Sequence, residues 1–310
     1  MFCFKKYRFS ERGRIMAFHA DVVYGLGNDR ELRLDIFPPD PHKNQRTAVL
    51  LVHGGGWRRN SRHMLRPHAE KLSSLGFTCC TVEYRFVQEA PWPAPLHDVK
   101  AAIRWARSHA EELGIDPERI VLQGYSSGGH LSLIAAGTPD QSEFEGKGGC
   151  AGVSTRVAAA MAVYPALVFF RDPEEAIFGN HYPPADEAAW EQHKLNQEGF
   201  PSWPLLGLNA TAEAMQQVSP FSYISPAFPP TLLLHGTSDI HVPYPPTVRF
   251  HQALLAAGVQ CDLHLYSGQS HGFDLSKSFR DVVQEEAALF FRRIVSEPEM
   301  VNKELKETTA

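Results

Sequence analysis

The sequence predicts an α/β fold in which a mostly parallel sheet of about eight strands is flanked by helices. Short apolar and β-branched runs of strand length alternate along the chain with longer segments whose apolar residues recur at helical spacing. The strand-length runs are apolar throughout, which is typical of strands that helices cover on both faces. A chain of 310 residues fits a single domain of this class.

Each predicted element follows from one of these patterns. Two segments at the start of the chain, residues 21–24 and 32–37, predict an antiparallel strand pair joined by a turn over residues 25–29. Apolar residues at helical spacing predict helices over residues 96–113 and 248–257. Continuous apolar runs predict the other six strands, over residues 48–52, 77–82, 120–123, 158–163, 231–234 and 262–266.

The predicted domain spans residues 18–296 and contains one inserted segment after the sixth strand. Residues 166–220 carry aromatic residues among several prolines but no clear strand, so we interpret them as a small lid; a structural excursion unrelated to substrate is the alternative. Residues 1–17 are expected to be a disordered extension, with Met16 as an alternative start. The charged residues 297–310 are expected to form a solvated tail.

Composition and charge argue against nucleic acid as a partner and against a membrane span. The net charge is −5, and no run of Lys or Arg is interleaved with aromatic residues. No stretch approaches the roughly 18 apolar residues that cross a bilayer, and residues 1–18 lack the apolar run of a secretory signal. The five scattered cysteines favour a reduced, cytoplasmic protein. The exposed edge strands of such a sheet leave a homodimer open.

Metal and cofactor sites are not expected from the sequence. The 15 histidines are dispersed, and no His-Glu-x-x-His occurs. Gly25 and Gly27 lack the third glycine of a dinucleotide-binding turn, and they join two antiparallel segments instead of a strand and a helix. No Walker-type phosphate loop is present.

A candidate nucleophile, Ser126, lies in a Gly-x-Ser-x-Gly sequence between a predicted strand and a predicted helix. Gly124 and Gly128 flank it, and the tight turn that such a serine occupies tolerates only small neighbours. The turn also puts Ser126 at a helix N-terminus, where free backbone N–H groups stabilise negative charge. The N–H of Ser127 is therefore expected to contact a developing oxyanion.

A second glycine-rich motif, His-Gly-Gly-Gly-Trp at residues 53–57, follows the strand predicted over residues 48–52. Its glycines let the backbone approach an oxyanion closely, so the N–H groups of Gly55 and Gly56 are expected to join that of Ser127. His53 is expected to be structural. Two motifs on the expected strands make a glycine-rich turn without function the weaker interpretation of Ser126.

A serine hydroxyl needs a base within hydrogen-bond reach and a carboxylate that holds the base in the right tautomer. In this kind of fold the chain order is serine, acid, histidine, with the last two in loops after the last strands. Asp239 follows the strand predicted over residues 231–234, and His271 follows the strand predicted over residues 262–266. We therefore predict Asp239 as the acid and His271 as the base.

Three other histidines lie near these motifs. His130 follows the start of the nucleophile helix and is expected to pack beneath it, while His235 and His241 flank the acid loop. The chain order of the motif disfavours each of them as the base.

Three other aspartates receive structural interpretations. Asp98 is expected to be a carboxylate near the N-terminus of its helix, where acidic groups are stabilised. Asp262 opens a strand and Asp274 lies three residues beyond His271, so each is expected to make only local contacts.

In these motifs and in the order of its candidate residues, the chain resembles the α/β-hydrolase esterases related to hormone-sensitive lipase, particularly the BD-FAE-like carboxylesterases. The resemblance runs from about residue 22 to residue 290 and rests on the two glycine-rich motifs. Further segments support it: Glu83-Tyr-Arg85, residues 93–98, residues 114–120 and Ser225-Pro226.

The resemblance implies an α/β-hydrolase fold and the hydrolysis of an ester through an acyl-serine intermediate, without a cofactor. We predict that the substrate is a short-chain ester of a small molecule. The resemblance assigns Ser126, Asp239 and His271 to the triad and the N–H groups of Gly55, Gly56 and Ser127 to the oxyanion hole. The chain departs from the family in two ways. The region before residue 53 is too short for the large N-terminal cap of lipase-like members, and Ser127 replaces an alanine of many relatives.

Three other functions remain open from the sequence. A small-amide hydrolase similar to kynurenine formamidase shares the two glycine-rich motifs, and an acetyl- or feruloyl-carbohydrate esterase shares the chemistry. A non-catalytic binding protein on the same scaffold normally lacks a member of the triad, and this chain has all three.

Overall fold

Eight strands form one sheet in the described part of the chain. The computed structural model describes residues 17–167, 203–206 and 211–298. Its strands are β1 (His19–Gly27), β2 (Arg30–Phe37), β3 (Ala48–Val52), β4 (Thr78–Val82), β5 (Ile120–Tyr125), β6 (Ala159–Val163), β7 (Thr231–Gly236) and β8 (Cys261–Tyr266). They lie in the order β1-β2-β4-β3-β5-β6-β7-β8. Pairing is antiparallel at β1/β2 and β2/β4 and parallel from β4 to β8, which confirms the predicted sheet.

The central strands are apolar on both faces. Every residue of β3 and β5 is buried, and burial on both faces produces the continuous apolar runs seen in the sequence. The opening pair is longer than predicted, because the segment of Gly25 and Gly27 pairs with β2 instead of forming a turn. Only Asn28 and Asp29 remain between the strands, and Asn28 has the positive φ of 55° that a tight two-residue turn requires.

Helices occupy both faces of the sheet. The α-helices among the described residues are α1 (Arg66–Ser74), α2 (Ala94–Ser108), α3 (Ala110–Leu113), α4 (Ser127–Gly137), α5 (Ser142–Glu145), α6 (Trp203–Leu206), α7 (Ala212–Val218), α8 (Pro245–Ala256) and α9 (Lys277–Phe291). Short 3-10 turns cover Pro41–Lys43, Arg62–Leu65, Pro220–Tyr223 and Phe273–Leu275, and a π-helical turn covers Arg292–Ser296.

The helix predicted over residues 96–113 is broken at His109 into α2 and α3. The imidazole of His109 stacks on Trp105 at a centroid distance of 4.5 Å, and its Nδ1 donates to the Trp105 carbonyl oxygen at 2.8 Å. The backbone N–H of His109 reaches the same oxygen at 3.0 Å. His109 itself leaves helical geometry, with φ −109° and ψ 25°.

Two apolar layers hold the helices against the sheet. On one face, buried side chains of α2, α4 and α8 pack together, among them Leu96, Leu131 and Phe250. On the other face, α1 and α9 pack through residues such as Leu72 and Phe291. Because the strands from β4 to β8 are parallel, their carboxyl ends lie along one edge of the sheet, and the loops that follow them converge there.

Several predictions fall on residues outside the described ranges. The extension of residues 1–16, the middle of the predicted lid at 168–202 and 207–210, and residues 299–310 of the tail stay predictions. Within the predicted lid the structure describes α6 and α7, and the Thr211 side chain caps α7 by accepting from the N–H of Ala214 at 3.2 Å. In the described part of the chain, no helix has the length and apolar character of a membrane span.

Candidate active site

Ser126 occupies a sharp turn between β5 and α4, with φ 52° and ψ −119°. Positive φ is costly for a residue with a side chain, so the surrounding structure must hold it. The two motif glycines make this possible. A Cβ on Gly124 would lie 2.2 Å from the Gly128 carbonyl oxygen, and a Cβ on Gly128 would lie 2.2 Å from that of Val52. The backbones approach too closely for any larger residue.

The loops after β7 and β8 bring two side chains to this turn. His271 Nε2 lies 3.0 Å from Ser126 Oγ, and His271 Nδ1 lies 2.6 Å from Asp239 Oδ2. With the proton on Nδ1 donated to Asp239, Nε2 is free to accept the serine hydroxyl hydrogen bond. A serine hydroxyl, an imidazole and a carboxylate are thereby joined by hydrogen bonds, which is the arrangement that acyl transfer through serine would require.

Asp239 is held as an anion. The backbone N–H groups of His241 and Val242 donate to its Oδ1 at 2.9 and 2.8 Å, and His235 Nε2 lies 3.3 Å from its Oδ2. Burial acts to raise the pKa of Asp239, but the hydrogen bonds from His235 and His271, the charge of His271 and the Val242 N–H outweigh it. Its pKa lies well below the ordinary range, so the carboxylate is charged at any pH at which an imidazole base is neutral.

The glycine-rich loop after β3 lies directly against Ser126. A Cβ on Gly54 would lie 3.0 Å from the Ser126 Cβ. Gly55 has φ 128°, and a Cβ there would lie 2.2 Å from the Arg59 carbonyl oxygen; Gly56 has φ 60°. The loop conformation thus depends on glycine, while the N–H of Ser127 belongs to the first turn of α4, where it has no acceptor within the helix.

The buried histidines His53 and His130 make contacts of their own. His130 accepts from Trp57 Nε1 at 3.2 Å and donates from Nε2 to the Val218 carbonyl oxygen at 2.7 Å. His53 stacks on Tyr84 with ring centroids 4.5 Å apart. Burial lowers the pKa of His130 to about 3 and that of His53 to about 4. Both are neutral in the folded protein at neutral pH.

Asp98 has a partner that its place in the helix does not reveal, the side chain of Arg85. Asp98 lies in the second turn of α2, and its carboxylate accepts from Arg85 Nη2 at 2.7 Å and from Nε and the backbone N–H of Arg85 at 2.8 Å. Asp98 thus lies near the N-terminal end of its helix, as expected, and the structure adds that the Arg85 guanidinium fixes this side chain. Asp262 pairs with Arg293 next to β8.

Sequence reasoning missed two neighbours of the site. The Tyr164 ring, directly after β6, contacts the His271 imidazole with centroids 4.4 Å apart. Asp274, expected to make only local contacts, is buried and bonds to Tyr164 and to His68 of α1. The position of Tyr164 at the carboxyl end of a parallel strand was the available signal, since such positions face the site.

Comparison with known proteins finds esterases over most of the chain. A sequence model of the BD-FAE family matches residues 34–254, a span that includes Ser126 and Asp239 and ends before His271. The chain is 31% identical over 271 residues to the probable carboxylic ester hydrolase LipM and 30% identical over 289 residues to esterase LipQ, both of Mycobacterium tuberculosis. These alignments cover 86% and 91% of this chain but only 59% and 63% of the two relatives.

Solved structures of esterase 2 from Thermogutta terrifontis are similar to the described fold. The propionate-bound form has a TM-score of 0.68 and 27% identity, and the alignment covers 88% of this chain and 94% of that chain. The form phosphonylated by sarin has a TM-score of 0.70 and 29% identity, with 87% and 92% covered. The similarity therefore extends over nearly the whole of a protein of this fold.

Proposed function

This chain belongs to the BD-FAE family of the α/β-hydrolase fold, and on that premise we propose that it is a serine carboxylesterase acting on short-chain carboxylic esters. The observation that carries the proposal is the continuous path of hydrogen bonds from Asp239 through His271 to Ser126, with contacts of 2.6 and 3.0 Å. The names of the curated relatives, a carboxylic ester hydrolase and an esterase, support the choice of an ester bond.

The proposed reaction has two steps. Ser126 Oγ attacks the ester carbonyl carbon while its proton passes to His271 Nε2, and the imidazolium that forms is stabilised by Asp239. His271 then donates this proton to the departing alkoxide, which leaves as the alcohol. A water molecule repeats the attack on the acyl-serine, with His271 as base, and releases the carboxylic acid.

The proposed oxyanion hole consists of the N–H groups of Gly55, Gly56 and Ser127. The close approach of the 53–57 loop to Ser126 and the free first turn of α4 support it. Backbone donors of this kind stabilise the tetrahedral intermediate more than the substrate, and one donor typically lowers the barrier by about 3 kcal/mol.

A short acyl chain is supported by the structural neighbour that binds propionate. The proposed substrate is therefore an acetyl, propionyl or butyryl ester of a small alcohol. The cytoplasmic location is part of the same proposal and is supported by the free thiols of Cys79, Cys80, Cys150 and Cys261. A homodimer and the domain limits at residues 18 and 296 stay predictions.

The proposal is tested by measuring kcat/KM on p-nitrophenyl esters from acetate to octanoate, on acetylated sugars, on a feruloyl ester and on N-formylkynurenine. We expect the short-chain esters to give the highest values. Ser126→Ala should reduce hydrolysis to the background rate, whereas Ser132→Ala is the matched control: its buried hydroxyl has no hydrogen-bond partner among the described residues. A preference for the formamide, or full activity in Ser126→Ala, would reject the proposal.

A further inference from the structure

A buried polar cluster lies behind the imidazole of His271, on the side of Tyr164. We call Tyr164, Asp274 and His68 the Tyr164 cluster. The Tyr164 hydroxyl donates to Asp274 Oδ1, and His68 Nε2 donates to Asp274 Oδ2 at 2.8 Å. All three residues are at least 96% shielded from solvent, with exposures of 4%, 1% and 1%. The three side chains come from the end of β6, the loop after β8 and helix α1.

The cluster touches His271 and the residue that precedes Ser126. The Tyr164 ring lies 4.4 Å from the His271 imidazole, centroid to centroid, at an interplanar angle of 53°. The His68 ring packs on Tyr125, the residue before Ser126, with centroids 5.1 Å apart. The cluster therefore joins the base loop to the strand that ends at the nucleophile.

The backbone of Tyr164 is strained, with φ 40°, and its N–H donates to the Leu234 carbonyl oxygen at 2.7 Å. A non-glycine residue keeps such a conformation only where the surrounding structure imposes it, and such residues concentrate at functional sites. Here the strained residue directs its ring at the proposed base.

Asp274 is the shared hydrogen-bond acceptor of the cluster. His68 Nδ1 is buried and has no hydrogen-bond partner among the described residues, so a proton there would leave a buried donor unsatisfied. A proton on Nε2 donates to Asp274 Oδ2 without that cost. Burial, and then the charge of Asp274, raises the pKa of Tyr164 well above its ordinary value, so its hydroxyl is a permanent donor to the carboxylate.

We propose that Tyr164, held by Asp274 and His68, is a positioning residue of this site: it keeps the His271 imidazole directed at Ser126 and stabilises the imidazolium that forms during acyl transfer. An imidazolium next to an aromatic ring is attracted to its electrons, and a phenol that donates to a carboxylate has a more electron-rich ring. The cluster thus acts as a second anionic support, on a face of the base that Asp239 does not reach. This inference rests on the proposed function.

Several other polar groups surround His271 and Asp274. His271 contacts Asp239 and Ser126 directly, and the ring of His241 lies 5.8 Å from it. The pKa of Tyr125 is raised mainly by burial and, to a smaller extent, by the charge of Asp274. Variants of Tyr164 and Asp274 leave all of these groups in place.

The test compares Tyr164→Phe, Asp274→Asn and the double variant with wild type and with Tyr266→Phe. Tyr266 is the matched control because its hydroxyl also donates to a carboxylate, that of Glu286, at β8. Initial rates with p-nitrophenyl butyrate give kcat, KM and the pH midpoint of the acid limb of kcat/KM. A fluorophosphonate titrates the folded active sites, so that kcat is expressed per active site even if a variant is partly unfolded.

We expect Tyr164→Phe and Asp274→Asn each to lower kcat roughly tenfold while KM changes less than about twofold, since only the base is misdirected. In Asp274→Asn the imidazolium is less stabilised, so the acid limb should move to lower pH by about half a unit. The double variant should be no worse than the single variants, because the pair acts as one unit.

The inference is overturned if Tyr164→Phe and Asp274→Asn match Tyr266→Phe in kcat per active site and in the pH midpoint of the acid limb. If Ser126→Ala is inactive in the same experiment, the proposed function is still supported and only the role of the Tyr164 cluster is rejected. Should wild type hydrolyse no ester, the rate constant of fluorophosphonate labelling supplies the same comparison. Equal labelling rates in wild type and Tyr164→Phe would overturn the inference there too, independently of the substrate class.

Discussion

Asp239 accepts a hydrogen bond of 2.6 Å from Nδ1 of His271, a residue 32 positions further along the chain. This contact determines which imidazole nitrogen carries the proton, and the other nitrogen therefore presents a lone pair to Ser126. The two loops that carry Asp239 and His271 follow adjacent parallel strands, β7 and β8, so the sheet itself fixes the distance between them.

Replacing the acid should remove most of the activity without removing the nucleophile. In Asp239→Asn the amide favours the wrong imidazole tautomer, and we expect kcat to fall about 10⁴-fold. The matched control is Asp262→Asn in β8, whose carboxylate pairs with Arg293. Steady-state kinetics on p-nitrophenyl butyrate measures both, and a loss under tenfold in Asp239→Asn would mean that another group orients the base.

The glycine loop offers a test of the oxyanion hole. In Gly55→Ala the new Cβ meets the Arg59 carbonyl oxygen, so the loop must shift and its N–H groups move; we expect kcat to fall at least about 100-fold. Gly258→Ala is the control, since Gly258 also has positive φ, 79°, but has nothing within 4 Å of an added Cβ. Equal kcat values in the two variants would rule out a catalytic role for the loop.

Two buried histidines should make the fold sensitive to mild acid. The pKa of His130 is lowered to about 3 and that of His53 to about 4, in both cases mainly by burial. Below the ordinary histidine pKa of about 6.5 the unfolded chain takes up protons that the folded protein does not. The free energy of unfolding should therefore decrease as the pH is lowered, by about 2 kcal/mol for each histidine between pH 6.5 and 5.

Urea unfolding at pH 7, 6 and 5 measures this dependence. His130→Gln should be less stable than wild type at pH 7, because the bonds to Trp57 and Val218 are perturbed, but its stability should fall less steeply with pH. A decline as steep as that of wild type would show that His130 is not the group responsible.

The Arg85–Asp98 pair is predicted to matter for stability and not for chemistry. The side chains are 10% and 3% exposed, so Asp98→Ala leaves a buried guanidinium uncompensated and should lower the free energy of unfolding by about 3–5 kcal/mol. Asp281→Ala, which breaks the exposed pair with Lys277, should leave stability nearly unchanged. Urea unfolding measures both variants; in Asp98→Ala, a loss of kcat per titrated active site would contradict a purely structural role.

The sheet was predictable because its central strands are buried on both faces. The six predicted runs mark β3 to β8 to within two residues, since burial on both faces favours apolar residues along a strand such as β3. The turn at Ser126 was equally predictable from its glycines, because no other residue fits where the backbones approach at Gly124 and Gly128. These signals are local in the chain.

Contacts between distant segments were not predictable in the same way. The partner of Asp98 was not predictable, because Arg85 lies in the loop after β4 and only the folded backbone brings the two side chains together. Tyr164 and Asp274 are 110 residues apart, and neither lies in a recognisable motif. Chain order selected Asp239 and His271, but the additional contact of His235 with Asp239 required coordinates.

The central claim is that Ser126 is a nucleophile activated by His271. The most direct measurement is intact-protein and peptide mass spectrometry after reaction with a fluorophosphonate. The account predicts one adduct per chain, on the peptide that contains Ser126, with no adduct in Ser126→Ala and strongly slowed labelling in His271→Gln. An adduct on another residue, or labelling of His271→Gln at the wild-type rate, would contradict it.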